Sequence, residues 1–148
     1  MMNKEDFHLS ITANVSAEEV FKSIVKVPEW WGVTCTGDTE KLNGKFVVRM
    51  GGDSFFNFTV AELTPNRRII WLVTDCHMPW YSDKKEWKNN RLIFELSERL
   101  GSTELKFIHD GLTPQIECFK DCKPGWTHWI TRSLYSYITK GEGDFTQR

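Results

Sequence analysis

The sequence predicts an α+β fold: one antiparallel sheet of about six strands, covered by a long C-terminal helix. Three observations carry that prediction. Between residues 44 and 110, runs rich in β-branched and aromatic residues alternate with short turn signals, the mark of consecutive antiparallel strands. Their apolar residues fall on one face only, so the sheet needs a cover. Near the end, large apolar residues recur at three- and four-residue spacing, as in an amphipathic helix broad enough to provide it.

The elements follow in order. Residues 6–13, DFHLSITA, alternate as a strand with Phe7, Leu9 and Ile11 on one face. Ser16 and Glu19 then form a capping box, and Val15 with Val20 a hydrophobic staple, which opens a helix. Its stripe is Val20, Ile24 and Val27, and it is expected to end at Val27, before Pro28. The segment EWWGVTCTGD, with adjacent Trp30 and Trp31, reads as a loop.

Strands follow at GKFVVRM, SFFNFTVAEL and RIIWLVTD, separated by Gly51-Gly52 and by Thr64-Pro65-Asn66. After a long connection, RLIFELSE and TELKFIHDG pair through RLGS. In that pair Leu92, Phe94 and Leu96, with Leu105, Phe107 and His109, share the inner face, while Glu95, Glu104 and Lys106 look to solvent. The last helix is expected to begin near Pro124 and to cap at Gly141, with ECFKDC adding a turn before it. Its apolar face comprises Trp126, Trp129, Ile130, Ser133, Leu134, Tyr137 and Ile138. Residues 1–148 read as one domain without repeats or linkers.

Composition narrows the function classes. Nineteen basic and 20 acidic residues give a net charge of −1, which offers no basic footprint for nucleic acid. The opening MMNKEDFHLSITANV carries charge where an export signal needs an apolar core, and no run approaches the ~20 apolar residues of a membrane span. A cytoplasmic location is therefore expected, with Cys35, Cys76, Cys118 and Cys122 as reduced thiols. Cys76-His77 and Cys118-x3-Cys122 lack the paired close ligands of a zinc site, so no metal is expected. Neither a phosphate-binding glycine loop nor a nucleophile elbow is present.

The outstanding feature is aromatic content, 14% of the chain with 7 Trp and 10 Phe. Trp126, Trp129 and Tyr137 on the last helix have two open readings: packed core, or the wall of a pocket shared with Phe56, Phe58, Trp71, Phe94 and Phe107. His109 likewise reads either as a buried histidine satisfied by a backbone carbonyl or by Tyr137, or as a polar anchor or proton donor for a ligand. Asp110 points to the other face and makes no dyad with it. Residues 75–90 form a long connection carrying Trp80, Tyr81 and Trp87, a lid or a plug at the open end of the sheet, and Trp30 and Trp31 fit the same rim.

Several motifs then carry a family resemblance: VSAEEVFKSI, GKF, VAELTPNRRIIW, EWKNNRLIFEL, TELKFIHDGL and GWTHWITRSLYSYITKGEG. In this order they resemble the START-like (SRPBCC, Bet v 1-like) superfamily, and within it the bacterial proteins related to the activator of heat-shock protein 90 ATPase. The resemblance implies a helix-grip fold, a curved sheet wrapped around the C-terminal helix, with one or two short helices after the first strand. It also implies an apolar cavity in the gap between sheet and helix. KNNR stands where the family places a small residue and Thr, so no ligand contact is carried over from that loop.

Relatives of this fold include lipid carriers, hormone receptors, polyketide cyclases, oxygenase domains and co-chaperones, and the fold alone does not choose among them. The leading expectation is a non-catalytic domain that binds a small hydrophobic molecule without a cofactor, with Phe58, Trp71, Phe107, His109, Trp126 and Tyr137 at the centre of the site. The alternatives are a cyclase- or hydrolase-type enzyme using His109 as acid or base, and a chaperone-modulating protein. A homodimer is compatible with each.

Overall fold

The structure is a computed structural model that describes residues 6–145. Residues 1–5, which open the charged N-terminal segment, lie outside the described part. The chain runs β1 (Phe7–Ala13), α1 (Ala17–Val25), α2 (Val27–Trp30), β2 (Thr34–Gly37), β3 (Lys45–Arg49), β4 (Phe55–Thr64), β5 (Arg68–His77), β6 (Arg91–Arg99) and β7 (Ser102–Asp110). The C-terminal helix follows without a break over residues 119–140, as α3 (Phe119–His128), a π-helical stretch (Trp129–Leu134) and α4 (Tyr135–Lys140).

The seven strands form one antiparallel sheet in the order β1-β7-β6-β5-β4-β3-β2. Register shifts between Asn57 and Phe58 and between Val60 and Glu62 interrupt the β4–β5 ladder, and such irregularities bend a sheet. The fold is the expected α+β helix grip. One continuous core joins the inner face of the sheet to α1, α2 and the C-terminal helix, through Ile24, Trp30, Trp71, Phe94, Phe107, Trp126 and Leu134.

Local chemistry explains most boundaries. Ser16 Oγ accepts from the Glu19 amide at 3.2 Å, as the capping motif requires, and Glu98 Oε1 on β6 accepts from the Ala17 amide at 2.8 Å. Gly141 ends the last helix in a left-handed conformation, φ +81°, with its amide bonded to the Tyr137 carbonyl.

Four expectations are corrected. The first helix ends at Val25, and Pro28 sits in the opening turn of α2, where its missing N–H removes no helical bond. TCTG, read as loop, is the edge strand β2; it pairs on one side only and lacks an apolar alternation to announce it. The last helix begins at Phe119, so Pro124 lies inside it. Pro124 and the residue four before it, Lys120, are both exposed, so the carbonyl left without a helical donor lies on the wet side. The outer face of the sheet is not wholly solvated either: Ile70, Ile93 and Ile108, adjacent across β5, β6 and β7, form a small second buried cluster.

The cysteine expectation also changes. Cys118 and Cys122, one helical turn apart, are joined as a disulfide, while Cys35 and Cys76 are free.

Candidate functional site

The interior of the grip is filled. Phe58, Trp71, Phe94 and Phe107 are each at most 1% exposed. Their rings interlock: Trp71 with Phe94 at 4.8 Å, Phe94 with Phe107 at 5.2 Å, and Phe46 with both Phe58 and Trp71. The Trp71 indole N–H is buried without a hydrogen-bond partner among the described residues, and its ring meets aromatic neighbours instead. These residues occupy the space where the resemblance implies a central cavity.

A pocket of about 160 Å³ lies at the mouth of the grip. Its floor and back wall are Trp126, Phe56, Trp87 and Trp31, and its near wall is the helix stripe Asp121, Cys122, Gly125 and Trp129. Met50, Met78, Trp80 and Tyr81 close the remaining side. The rings brace one another: Trp31 and Trp126 at 5.0 Å, Phe56 and Trp87 at 4.7 Å, and Trp87 and Trp126 nearly parallel at 6.0 Å. Gly32 makes room for Trp129, because a Cβ there would run into the indole.

The long connection after β5 is tied to the start of the last helix at several points. Tyr81 Oη donates to Asp121 Oδ2 at 2.7 Å, the Ser82 amide donates to Glu117 Oε1 at 2.9 Å, and the Cys118 amide donates to Glu86 Oε1 at 3.0 Å. Beneath them Trp87 Nε1 donates to Cys118 Sγ at 3.3 Å. Burial raises the Tyr81 phenol well above its ordinary value, helped by its bond to Asp121 and by the charges of Asp121, Glu86 and Glu117. Trp87 is buried and Trp80 is 52% exposed, so the connection is half plug and half rim.

His109 lies one layer below the pocket and does not line it. Trp126 Nε1–H donates to His109 Nδ1 at 3.0 Å, so Nδ1 carries no proton and Nε2–H is left to donate to Asn90 Oδ1 at 2.9 Å. Burial lowers its pKa to about 3, which keeps the ring neutral. The partners are thus Asn90 and Trp126; Tyr137, half-buried further along the helix, is not among them. Asp110, on the opposite face, pairs with Arg91 at 2.6 Å.

The mouth gathers Phe56, Trp126 and Trp129 from the predicted wall and all three residues of the predicted lid, Trp80, Tyr81 and Trp87. It leaves out Phe58, Trp71, Phe94, Phe107, His109 and Tyr137. Trp31 joins them from the pair expected at the same rim, while Trp30 does not line the pocket; Met50, Met78, Asp121, Cys122 and Gly125 are additions. A sequence signal for part of this exists: Asp121, Cys122 and Gly125 continue the three- and four-residue spacing backward from Trp126 and Trp129. Reading Pro124 as the helix start hid it. Among the described residues, no group of three or more His, Cys, Asp or Glu side chains could hold a metal ion.

The model of the activator of Hsp90 ATPase homolog 1-like family matches residues 14–139. The chain belongs to that family. No curated protein matches it in sequence. Among solved structures, the Aha1 dimer of Colwellia psychrerythraea superposes with a TM-score of 0.74 at 18% identity, over 93% of this chain and 98% of that one. DynU16, from the dynemicin biosynthetic locus, gives a TM-score of 0.70 at 15% identity, over 95% of this chain and 49% of that one. CalU16 from Micromonospora echinospora gives 0.66 at 15% identity, over 95% and 77%. At these identities the likeness establishes the shared fold.

Proposed function

We propose that this family member is a non-catalytic binding domain that holds a small, largely apolar molecule in the mouth of the grip. The supporting observation is the pocket itself: about 160 Å³ walled by five of the chain's seven tryptophans. Aromatic walls with few polar anchors suit binding through shape and dispersion. The volume is well below the roughly 300–1,000 Å³ of pockets for drug-sized ligands, so the ligand is compact, not a long acyl chain or a polyketide.

An enzymatic reading built on His109 finds little support. Both its ring nitrogens are engaged by protein partners, and it faces no open space. A chaperone-modulating role rests on the family name alone. The dimeric state of the Colwellia protein supports testing a homodimer here.

The deciding experiment is native mass spectrometry of freshly purified protein, followed by thermal-shift titration with a panel of compact apolar and aromatic compounds. A true ligand at about 100 times its Kd stabilises the fold by about 2.7 kcal/mol. Trp80→Ala should remove most of that stabilisation without unfolding the protein, since Trp80 is the most exposed of the pocket tryptophans. A protein that purifies empty, and whose melting temperature no compound moves, would leave the mouth as an unused crevice.

A further inference from the structure

We propose, on the premise that the mouth is a binding site, that its ligand is a compact alkylammonium cation: a positively charged nitrogen carrying methyl or similar groups. Three features of the pocket choose this chemistry over a neutral molecule or an anion.

The first is the wall. Trp31, Trp80, Tyr81, Trp87, Trp126 and Trp129 bring six π-systems around one small space. Aromatic faces carry negative electrostatic potential, and indoles attract a cation best. A methylated ammonium also presents an apolar surface and loses little hydration when enclosed by rings.

The second is the sign of the charge. Asp121 supplies the carboxylate among the lining residues, and among the described residues no Lys or Arg lines the pocket. Glu117 and Glu86 lie just behind it, holding the amides of Ser82 and Cys118. Of the nearby cations, Lys85 pairs with Asp75 and Lys123 lies over the Phe119 ring, while Lys84 Nζ is held by the Tyr81 carbonyl at 2.7 Å.

The third is the disposition of the donors. An anion or an oxygen-rich ligand needs N–H or O–H groups aimed at it. Tyr81 Oη–H is given to Asp121, Trp87 Nε1–H to Cys118 Sγ, and Trp126 Nε1–H to His109. Those three rings are left to offer the pocket carbon and π-surface, which a cation accepts and an anion does not.

The volume sets the size, since about 160 Å³ takes a group as small as tetramethylammonium or choline. The same methylated ammonium occurs free in solution or as a lipid headgroup, and the test separates the two sources.

The test compares choline chloride and tetramethylammonium chloride with 3,3-dimethylbutan-1-ol, the uncharged carbon isostere of choline, by calorimetry and tryptophan fluorescence at constant ionic strength. Choline should bind saturably and about tenfold more tightly than the alcohol. Asp121→Asn, a change at an exposed residue that keeps an acceptor for Tyr81, should weaken choline about threefold and leave the alcohol unchanged. Co-sedimentation with phosphatidylcholine vesicles would assign the cation to a headgroup, and binding of free choline without co-sedimentation would assign it to a soluble compound. If the alcohol binds as well as choline, cation selection is wrong while the pocket reading stands. Cation selection is equally wrong if neither binds but another compact apolar compound does. If nothing in either panel binds, both readings fall.

Discussion

His109 shows how one buried polar residue can brace a pocket that it does not line. Its two ring nitrogens join Asn90, at the mouth of β6, to Trp126, in the floor of the pocket. Its ring also meets Trp87 edge-on at 4.6 Å. Gly111 is part of the same arrangement, because a Cβ there would run into the Asn90 amide. The residue has a pH consequence. Burial lowers its folded-state pKa from 6.5 to about 3, so between these values the unfolded chain binds a proton that the native state refuses. The stability it contributes is present above pH 6.5 and is lost as the pH falls toward 3. At pH 5 the loss is about 2 kcal/mol relative to neutral pH, readable as a lower urea midpoint. The cleaner check is NMR: the His109 ring resonances should stay at their neutral positions from pH 7 to pH 5. A ring that titrates near pH 6.5 would show that it is not sealed.

Among the elements, the C-terminal helix departs furthest from regular geometry. Pro124 and the π-helical stretch Trp129–Leu134 both fall where it borders the mouth. Wider turns of this kind change the angle at which side chains leave the helix. Ser133, at the end of the stretch, donates to the Trp30 carbonyl and accepts from the Asp144 amide, which ties α2 and the returning tail to the helix. The β6–β7 hairpin offers a direct test of turn chemistry. Arg99 pairs with Ser102, leaving a two-residue loop with φ +54° at Leu100 and +82° at Gly101. Both values suit a type I′ turn, in which Asn-Gly is preferred and a leucine is strained. Leu100 is 98% exposed, so its side chain contributes little packing. Leu100→Asn should therefore raise the unfolding free energy by about 0.5–1 kcal/mol in a denaturant titration. No gain would mean that the turn relaxes at no cost.

At the scale of the molecule, one core cluster takes in every layer, from Val20 and Ile24 on α1 through the sheet to Ile130 and Leu134 on the last helix. A chain with a shared core should unfold as one unit. Tryptophan fluorescence and far-UV circular dichroism should then report the same midpoint in urea. Separate midpoints would divide the chain into parts that the single core does not suggest. The same packing explains why the pocket is small: with the interior stacked from Phe46 to Phe107, the free space is pushed to the mouth.

Strand periodicity, the Ser16 cap, Gly141 and the aromatic stripe of the last helix were all legible in the chain, because each reflects local geometry or a repeat of two or 3.6 residues. The sheet with its helical cover, and the inner face of Leu105, Phe107 and His109, follow from those patterns alone. The location of the pocket does not. Whether Phe94 and Trp71 enclose a cavity or fill it depends on how side chains from several strands interlock, and no spacing within one segment encodes that. The partners of His109 lie 19 positions before it and 17 after it, and the long connection after β5 is tied to residues more than 30 positions away. Such contacts are decided by the curvature of the sheet and the placement of the helix, so only the assembled structure could turn a list of aromatic residues into a core and a mouth.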